Sequence, residues 1–192
     1  MSTQWHVAVL IGSLRKGSYT RMMAKEAIAV APDTLVFEIV EIGNLPLYNQ
    51  DPDDQKKPPA EWVAFRDRIR RMDAVLFATP EYNRSVPGVL KNAIDVGSRP
   101  YGESVWARKP AAVLSVSPGA IGAFGANQHL RQSLVFLNMP PMQAPEAYVG
   151  NAAKLLDASG KLTSDSTRQF LRMFMESFAT WIDRNAPSPG RA

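Results

Sequence analysis

The segment GSLRKGSYTR, residues 12–21, is polar and cationic although it directly follows the apolar run WHVAVLI. A turn from a buried strand into a helix directs backbone N–H groups and the helix N-terminus at one point, which attracts anions. Glycines at 12 and 17 allow close approach of a ligand. Hydroxyl groups and a guanidinium can donate hydrogen bonds to a phosphate, and the segment offers Ser13, Arg15, Ser18 and Thr20. We expect a phosphate group to bind here.

The spacing of this segment argues against the two best-known phosphate loops. Gly12 and Gly17 match the glycines of GxxxxGK[ST], but Ser18 replaces the lysine that an NTPase needs. Leu14 stands where the dinucleotide fingerprint GxGxxG requires its second glycine. A phosphomonoester such as that of FMN fits better than ATP or a tightly bound NAD. The alternative is an ordinary polar turn whose serines cap the next helix.

Two further segments follow apolar runs and add ligand contacts. In TPEYNRSVPGVLKNAID, residues 79–95, Pro80 removes an N–H, so we expect the backbone of residues 81–84 to be exposed. Backbone groups there can make hydrogen bonds with the polar atoms of a flavin ring, and Tyr82 can pack against the ring. In SPGAIGAFGANQ, residues 117–128, three glycines can lie under a planar group. For residues 79–95 the alternative is a turn and a helix N-terminus that Ser85 caps, with Lys91 paired to Asp95. For residues 117–128 it is a loose loop before the next helix.

The elements that must position these segments follow from hydrophobic patterning. Short apolar runs predict strands over residues 5–11, 34–42, 73–80, 110–118 and 142–149. Helical spacing predicts helices over residues 18–31, 59–72, 86–97, 125–139 and 165–182. This alternation predicts an α/β doubly wound fold, with a flavodoxin-like five-stranded parallel sheet in the order 2-1-3-4-5 and helices on both faces. Ligands of such sheets bind at the carboxyl ends of the strands, where the three segments would meet.

Composition narrows the class of protein. The 192 residues suffice for one domain, which we expect over residues 1–185, followed by a disordered tail at 186–192. No apolar run approaches the roughly 18 residues that span a bilayer, and the N-terminus lacks a signal-peptide pattern. We therefore expect neither a membrane partner nor export, and by elimination a cytoplasmic protein.

Charge and cysteine content exclude further chemistries. The chain has no cysteine and only two histidines, so we expect no thiolate chemistry and no metal site. A net charge of +4 is too small to indicate nucleic-acid binding. The densest basic cluster, residues 65–73, is interpreted as a solvated helix face, and residues 48–59 as a polar, proline-rich surface loop.

The three segments together resemble the NAD(P)H-dependent FMN reductases, most closely their bacterial quinone and chromate reductase branch. The resemblance covers roughly residues 5–182, and PEYN followed by PG and LKNAID is its most specific part. It implies a flavodoxin-like subunit with non-covalent FMN, whose phosphate is held by Ser13, Arg15, Ser18 and Thr20. It further implies that the ring is lined by Pro80, Glu81, Tyr82 and Asn83 and, on the far side, by Ser117 and Gly119.

The resemblance also implies the reaction and the assembly. NADPH or NADH would reduce the flavin and leave before a quinone, chromate or azo acceptor enters, which is ping-pong behaviour. Arg84 is a candidate for stabilising charge near the ring or for steering the phosphates of NADPH. Relatives are homodimers or homotetramers, and Glu146 and Tyr148 are candidate contacts between dimers. The physiological acceptor and the preferred nicotinamide stay open.

Three other functions are compatible with the pattern. A flavodoxin-type electron carrier would bind FMN without a substrate of its own, although such carriers are acidic and this chain has a pI near 9.5. A flavin-free module could bind a sugar phosphate. An FMN reductase could supply diffusible reduced flavin to a partner enzyme.

Overall fold

Five parallel strands form the centre of the structure, which the computed structural model describes for residues 4–187. They are β1 (Trp5–Ile11), β2 (Leu35–Val40), β3 (Ala74–Thr79), β4 (Ala111–Val116) and β5 (Ala147–Val149). Their spatial order is β2-β1-β3-β4-β5. Every residue of β3 and β4 is buried, as continuous apolar runs predict for strands covered on both faces. The predicted fold class and strand order are confirmed.

Helices cover both faces of this sheet. They are α1 (Tyr19–Ala29), α2 (Gln50–Asp54), α3 (Ala60–Arg70), α4 (Gly88–Gly97), α5 (Phe124–Phe136), α6 (Ala152–Leu155) and α7 (Asp165–Asn185). Alternate residues of β1 face opposite sides: Val9 packs in a core with α1 and α7, and Leu10 in a second core with α3, α4 and α5. Within residues 4–187, none of the helices combines the length and the apolar character needed to cross a membrane.

The sequence-based boundaries agree with most of these elements. The first strand is the one predicted, and the next three differ by one or two residues at their ends. β5 is much shorter than predicted, with only three residues, because pairing with β4 is interrupted: the N–H of Met142 bonds to the carbonyl of Ala111 at 2.7 Å, and the ladder resumes only at Ala147, after Pro145. Of the predicted disordered tail, residues 188–192 lie outside the described residues.

Two predictions about polar segments hold only in part. Residues 48–59 are not simply a surface loop, since they contain α2, and the side chain of Asp53 is only 3% exposed. Residues 65–73 are not entirely a solvated face, because the Arg66 side chain is only 4% exposed. Arg66 donates two hydrogen bonds to the Asp53 carboxylate, at 2.8 and 2.7 Å, and one to the carbonyl of Val96 at 2.9 Å. These hydrogen bonds lower the pKa of Asp53.

Removing Arg66 should destabilise the protein strongly. We expect Arg66→Ala to reduce the free energy of unfolding by about 3–5 kcal/mol at pH 7, because Asp53 is left buried without its counter-charge. Arg66 lowers the pKa of Asp53. The pair therefore stabilises the folded protein fully above the ordinary Asp pKa of about 3.9, and this stabilisation is lost as the pH falls through the lowered pKa. Urea unfolding of both proteins from pH 7 down to pH 3 measures this.

A matched control is Arg70→Ala, which breaks an exposed pair with Asp67, whose side chains are 44% and 52% exposed. Such pairs contribute less than about 1 kcal/mol. Equal losses in the Arg66 and Arg70 variants would contradict the importance of the buried pair.

Candidate functional site

Three loops meet at the carboxyl edge of the sheet. They are the first loop after β1 (residues 12–18), the second loop after β3 (residues 80–87) and the third loop after β4 (residues 117–123). Gly12 packs so closely against the second loop and α4 that a Cβ there would lie 3.2 Å from Pro80 and 3.1 Å from Leu90. A Cβ on Gly125, in the first turn of α5, would lie 2.7 Å from the carbonyl oxygen of Arg84. The structure therefore brings the three predicted segments together, as the topology requires.

The first loop presents unused hydrogen-bond donors. Among residues 4–187, the backbone N–H groups of residues 13–17 have no hydrogen-bond acceptor. Ser13 and Thr20 are buried at 8% and 3% exposure, and their hydroxyls make no hydrogen bond within the described part of the chain. A cluster of amide and hydroxyl donors at the start of a helix matches the needs of a phosphate. The loop fits the phosphate of FMN.

The cations of this segment differ in their availability. Arg21 gives both its terminal nitrogens to Glu41, at 2.8 and 2.7 Å. Arg15 is exposed and has no partner among the described residues. Ser18 caps α1, because its Oγ accepts a hydrogen bond from the N–H of Arg21 at 3.1 Å. Its hydroxyl proton is still available, so the capping role and the predicted phosphate contact are compatible.

The second loop contains a tight two-residue turn. Tyr82 and Ser85 exchange backbone hydrogen bonds of 3.1 and 2.9 Å, and Asn83 and Arg84 between them have φ angles of 49° and 64°. The N–H groups of Glu81, Asn83 and Arg84 have no acceptor within residues 4–187. Tyr82 is 59% exposed beside them. This agrees with the expectation that the backbone here is open to a ligand.

The side chain of Glu81 does not point to a free surface. Its Oε2 accepts a hydrogen bond from the N–H of Ala126 at 3.0 Å, in the first turn of α5. This hydrogen bond ties the Glu81 carboxylate to α5, whereas its backbone N–H has no acceptor within residues 4–187. Ser85 does not cap α4, which begins after Pro87 without a side-chain cap, and its Oγ lies 3.0 Å from Nδ1 of His129 on α5 instead.

The third loop is held by buried polar groups that sequence reasoning missed. The Ser115 hydroxyl donates to the carbonyl of Gly122 at 2.7 Å and accepts from Nδ2 of Asn127 at 3.1 Å. Both side chains are fully buried, and the only signal was a serine in an apolar strand and an asparagine on the buried face of a helix. Ser117 accepts a hydrogen bond from the N–H of Gly119 at 2.8 Å, which shapes the start of the loop.

Of the glycines in the first and third loops, only Gly122 has a positive φ. Gly122 has φ of 62°, whereas neither Gly12 nor Gly17 has a positive φ. Ala123 follows with φ of 60°, a conformation that costs a residue with a Cβ about 1–2 kcal/mol. The third loop therefore contains a turn with two successive left-handed residues, Gly122 and Ala123.

The residues proposed for contacts between subunits lie together beside the third loop. Gln128 donates hydrogen bonds to the Tyr148 hydroxyl at 2.6 Å and to Glu146 at 3.3 Å. Burial and the nearby Glu146 raise the pKa of Tyr148 to about 12, so its hydroxyl stays protonated at neutral pH. Arg131 approaches Glu146 at 3.8 Å. These side chains form one polar cluster on α5 and β5.

The fold and the converging loops define a flavodoxin-like α/β protein, and comparison with known proteins identifies its family. The profile of the family described as NADPH-dependent FMN reductase matches residues 5–154. The chain belongs to this family. It is an NAD(P)H oxidoreductase, and its cofactor is FMN.

Several relatives are similar to the protein over nearly the whole chain. A quinone reductase of Pseudomonas putida is 63% identical, with 96% of this chain and 98% of the relative covered. A 2-hydroxy-1,4-benzoquinone reductase of a Burkholderia species is 44% identical, with 92% of this chain and 95% of the relative covered. The solved structure of FerB, a flavoenzyme NAD(P)H:(acceptor) oxidoreductase from Paracoccus denitrificans, is 42% identical with a TM-score of 0.89 over 95% of this chain and 100% of FerB.

Alanine at position 122 should disturb the third loop. A Cβ there would lie 2.6 Å from the carbonyl carbon of Tyr148, and the backbone already has a positive φ. We expect Gly122→Ala to reduce the free energy of unfolding by about 1–3 kcal/mol, which is typical of overpacking. Gly17→Ala is the control, since no heavy atom lies within 4 Å of its Cβ position, and its effect should stay within about 0.5 kcal/mol. Similar denaturation midpoints for both variants would show that the third loop is not constrained.

Proposed function

We propose that this protein is an FMN-dependent quinone reductase that passes two electrons from NADPH or NADH to a quinone. The observation that carries the proposal is the convergence, at one edge of the sheet, of backbone N–H groups that have no acceptor within residues 4–187, those of residues 13–17 and of Glu81, Asn83 and Arg84. The quinone acceptor is supported by the names of the relatives at 63% and 44% identity. Chromate and azo compounds are further acceptors to measure.

Each loop has a distinct task in this proposal. The first loop holds the phosphate through its backbone amides and the side chains of Ser13, Arg15, Ser18 and Thr20. The second loop lines the ring with Pro80, Tyr82, Asn83 and the backbone of Glu81 and Arg84. Ser117 and Gly119 support the ring from the third loop. FMN, when bound, supplies the acceptance and transfer of hydride, and the protein supplies position and electrostatics.

The exposure of the second loop suits a reaction in which two substrates use one face in turn. Tyr82 and Arg84 are both exposed, so a nicotinamide and then a quinone can reach this surface. The Arg84 guanidinium is 76% exposed and lies 3.9 Å from Glu81, where it can attract the phosphates of NADPH. In this proposal the first loop holds the phosphate of FMN, and the surface of the second loop stays accessible to both substrates.

We also propose that residues 1–185 form a single domain that assembles as a homodimer or homotetramer. Beside the polar cluster of Gln128, Glu146 and Tyr148, the ring of Phe124, which is 49% exposed, lies 5.3 Å from that of Tyr148. Further along α5, Val135 and Phe136 are 68% and 79% exposed. A contact between subunits would cover apolar side chains of this kind. Light scattering of the FMN-loaded protein distinguishes one, two and four copies.

The proposed activity predicts a simple spectroscopic result. Anaerobic addition of NADPH to the FMN-loaded protein should bleach the flavin absorption, and a benzoquinone added next should restore it. Initial rates at several quinone concentrations should give parallel double-reciprocal lines, because the nicotinamide leaves before the quinone enters. Absence of bleaching by either nicotinamide would indicate an electron carrier instead. Loss of FMN during gel filtration would favour a flavin reductase that releases its product.

Arg15 should contribute directly to FMN affinity. We expect Arg15→Ala to weaken binding by about 1.5–3 kcal/mol, the contribution of a hydrogen bond to a charged group, which raises the Kd roughly 10- to 150-fold. Quenching of FMN fluorescence measures this. Arg21→Ala is the control, because that arginine is in the same segment but is paired with Glu41. An unchanged Kd for Arg15→Ala, or an equal rise for Arg21→Ala, would refute the assignment of Arg15 to the phosphate.

A further inference from the structure

The turn between Tyr82 and Ser85 has a conformation that suits the first of its two central residues, Asn83, but not the second, Arg84. Asn83 and Arg84 both lie in the left-handed region, with φ of 49° and 64°. Two-residue turns of this type favour Asn followed by Gly, because only glycine adopts a positive φ without steric cost. An arginine at the second position therefore stores strain. Strained turns persist only where the surrounding structure holds them.

Two side-chain contacts from opposite ends of this turn reach α5. Before the turn, Glu81 Oε2 accepts a hydrogen bond from the N–H of Ala126 at 3.0 Å. After the turn, Ser85 Oγ lies 3.0 Å from Nδ1 of His129. Ala126 and His129 are three residues apart, so both contacts fall on one side of a single helical turn. The strained turn is thus fastened at each end to the same rigid element.

The close packing of α5 against the turn leaves little room for other conformations. A Cβ on Gly125 would lie 2.7 Å from the carbonyl oxygen of Arg84 and 3.0 Å from Glu81 Oε2. The carboxylate of Glu81 is mostly buried, with a side-chain exposure of 17%. It lies at the N-terminal end of α5, where the helix dipole favours a negative charge. These contacts oppose relaxation of the turn.

We propose that Glu81 and His129 are positioning residues that hold the turn from Tyr82 to Ser85 in the conformation that presents its free N–H groups to the flavin. The inference rests on the proposed function, since it assigns these N–H groups to the ring. Neither side chain needs to touch the ring. Each acts through the turn, by keeping Asn83 and Arg84 in the left-handed region.

The loss of either anchor should change how the protein binds the ring. In Glu81→Ala and in His129→Ala, we expect the Kd for FMN to rise about tenfold, and further in the double variant. The midpoint potential of bound FMN should become more negative, because amide donors favour the more negatively charged reduced form. A tenfold change in the relative affinity for the two redox forms corresponds to about 30 mV for two electrons. Fluorescence titration and spectroelectrochemistry measure these quantities.

A third measurement does not need the cofactor. The N–H groups of Tyr82 and Ser85 are hydrogen-bonded to the opposite residue of the turn, so their hydrogen exchange in the FMN-free protein reports whether the turn is formed. We expect faster exchange at both amides in the alanine variants. If the wild-type protein did not bind FMN, the proposed function would fail, whereas this exchange measurement would still decide whether the anchors hold the turn.

Conservative and rescuing variants separate positioning from general loss of stability. Glu81→Gln retains an acceptor for the N–H of Ala126, and His129→Asn places an amide near the former Nδ1, so both should bind FMN within about threefold of wild type. Arg84→Gly should restore slow exchange in the double alanine variant, because glycine adopts the positive φ without strain.

Glu26→Ala is the matched control, since its side chain has the same exposure of 17% but pairs with Arg168 on the opposite face of the sheet. It should leave the potential and the exchange of the turn unchanged. Wild-type affinity, potential and exchange in both single alanine variants would overturn the proposal, as would an equal change in Glu26→Ala.

Discussion

Complete burial of the central strands on both faces is the constraint on which the rest of this structure depends. All residues of β3 and β4 are buried, so each strand must be followed by a helix that returns across one face. Parallel strands that are connected in this way end at the same edge of the sheet. The loops after β1, β3 and β4 are therefore brought together by the packing of apolar residues in the core, away from the loops themselves.

The polar groups near this edge are divided between support and ligand binding. Side chains support the loops: Ser115 and Asn127 hold the third loop, and Glu81 fastens the second loop to α5. Backbone N–H groups of residues 13–17 stay without acceptors among the described residues. A site made of backbone donors on rigid loops loses little entropy when a phosphate binds, because the donors are already in place. This arrangement suits a protein whose chemistry is supplied by a bound cofactor.

Much of this could be predicted from the sequence, since it depended on local patterns. Continuous apolar runs located β1, β3 and β4, and the polar segments after them located the loops at the carboxyl edge. Contacts between residues distant in sequence could not be found in this way. The ion pair of Asp53 with Arg66 and the contact of Glu81 with Ala126 span 13 and 45 residues. In each contact a charged side chain is largely buried, although charged residues are usually exposed to solvent. The single domain, the assembly and a cytoplasmic location stay predictions.

The central claim is that the first loop holds the phosphate of FMN through donors that the folded chain leaves unused. A crystal structure of the complex with FMN tests it most directly. We predict phosphate oxygens within hydrogen-bonding distance of the backbone N–H groups of residues 13–17 and of the Ser13 and Thr20 hydroxyls, with the ring beside residues 80–83. A phosphate bound elsewhere, or a first loop without contact to the nucleotide, would contradict the account.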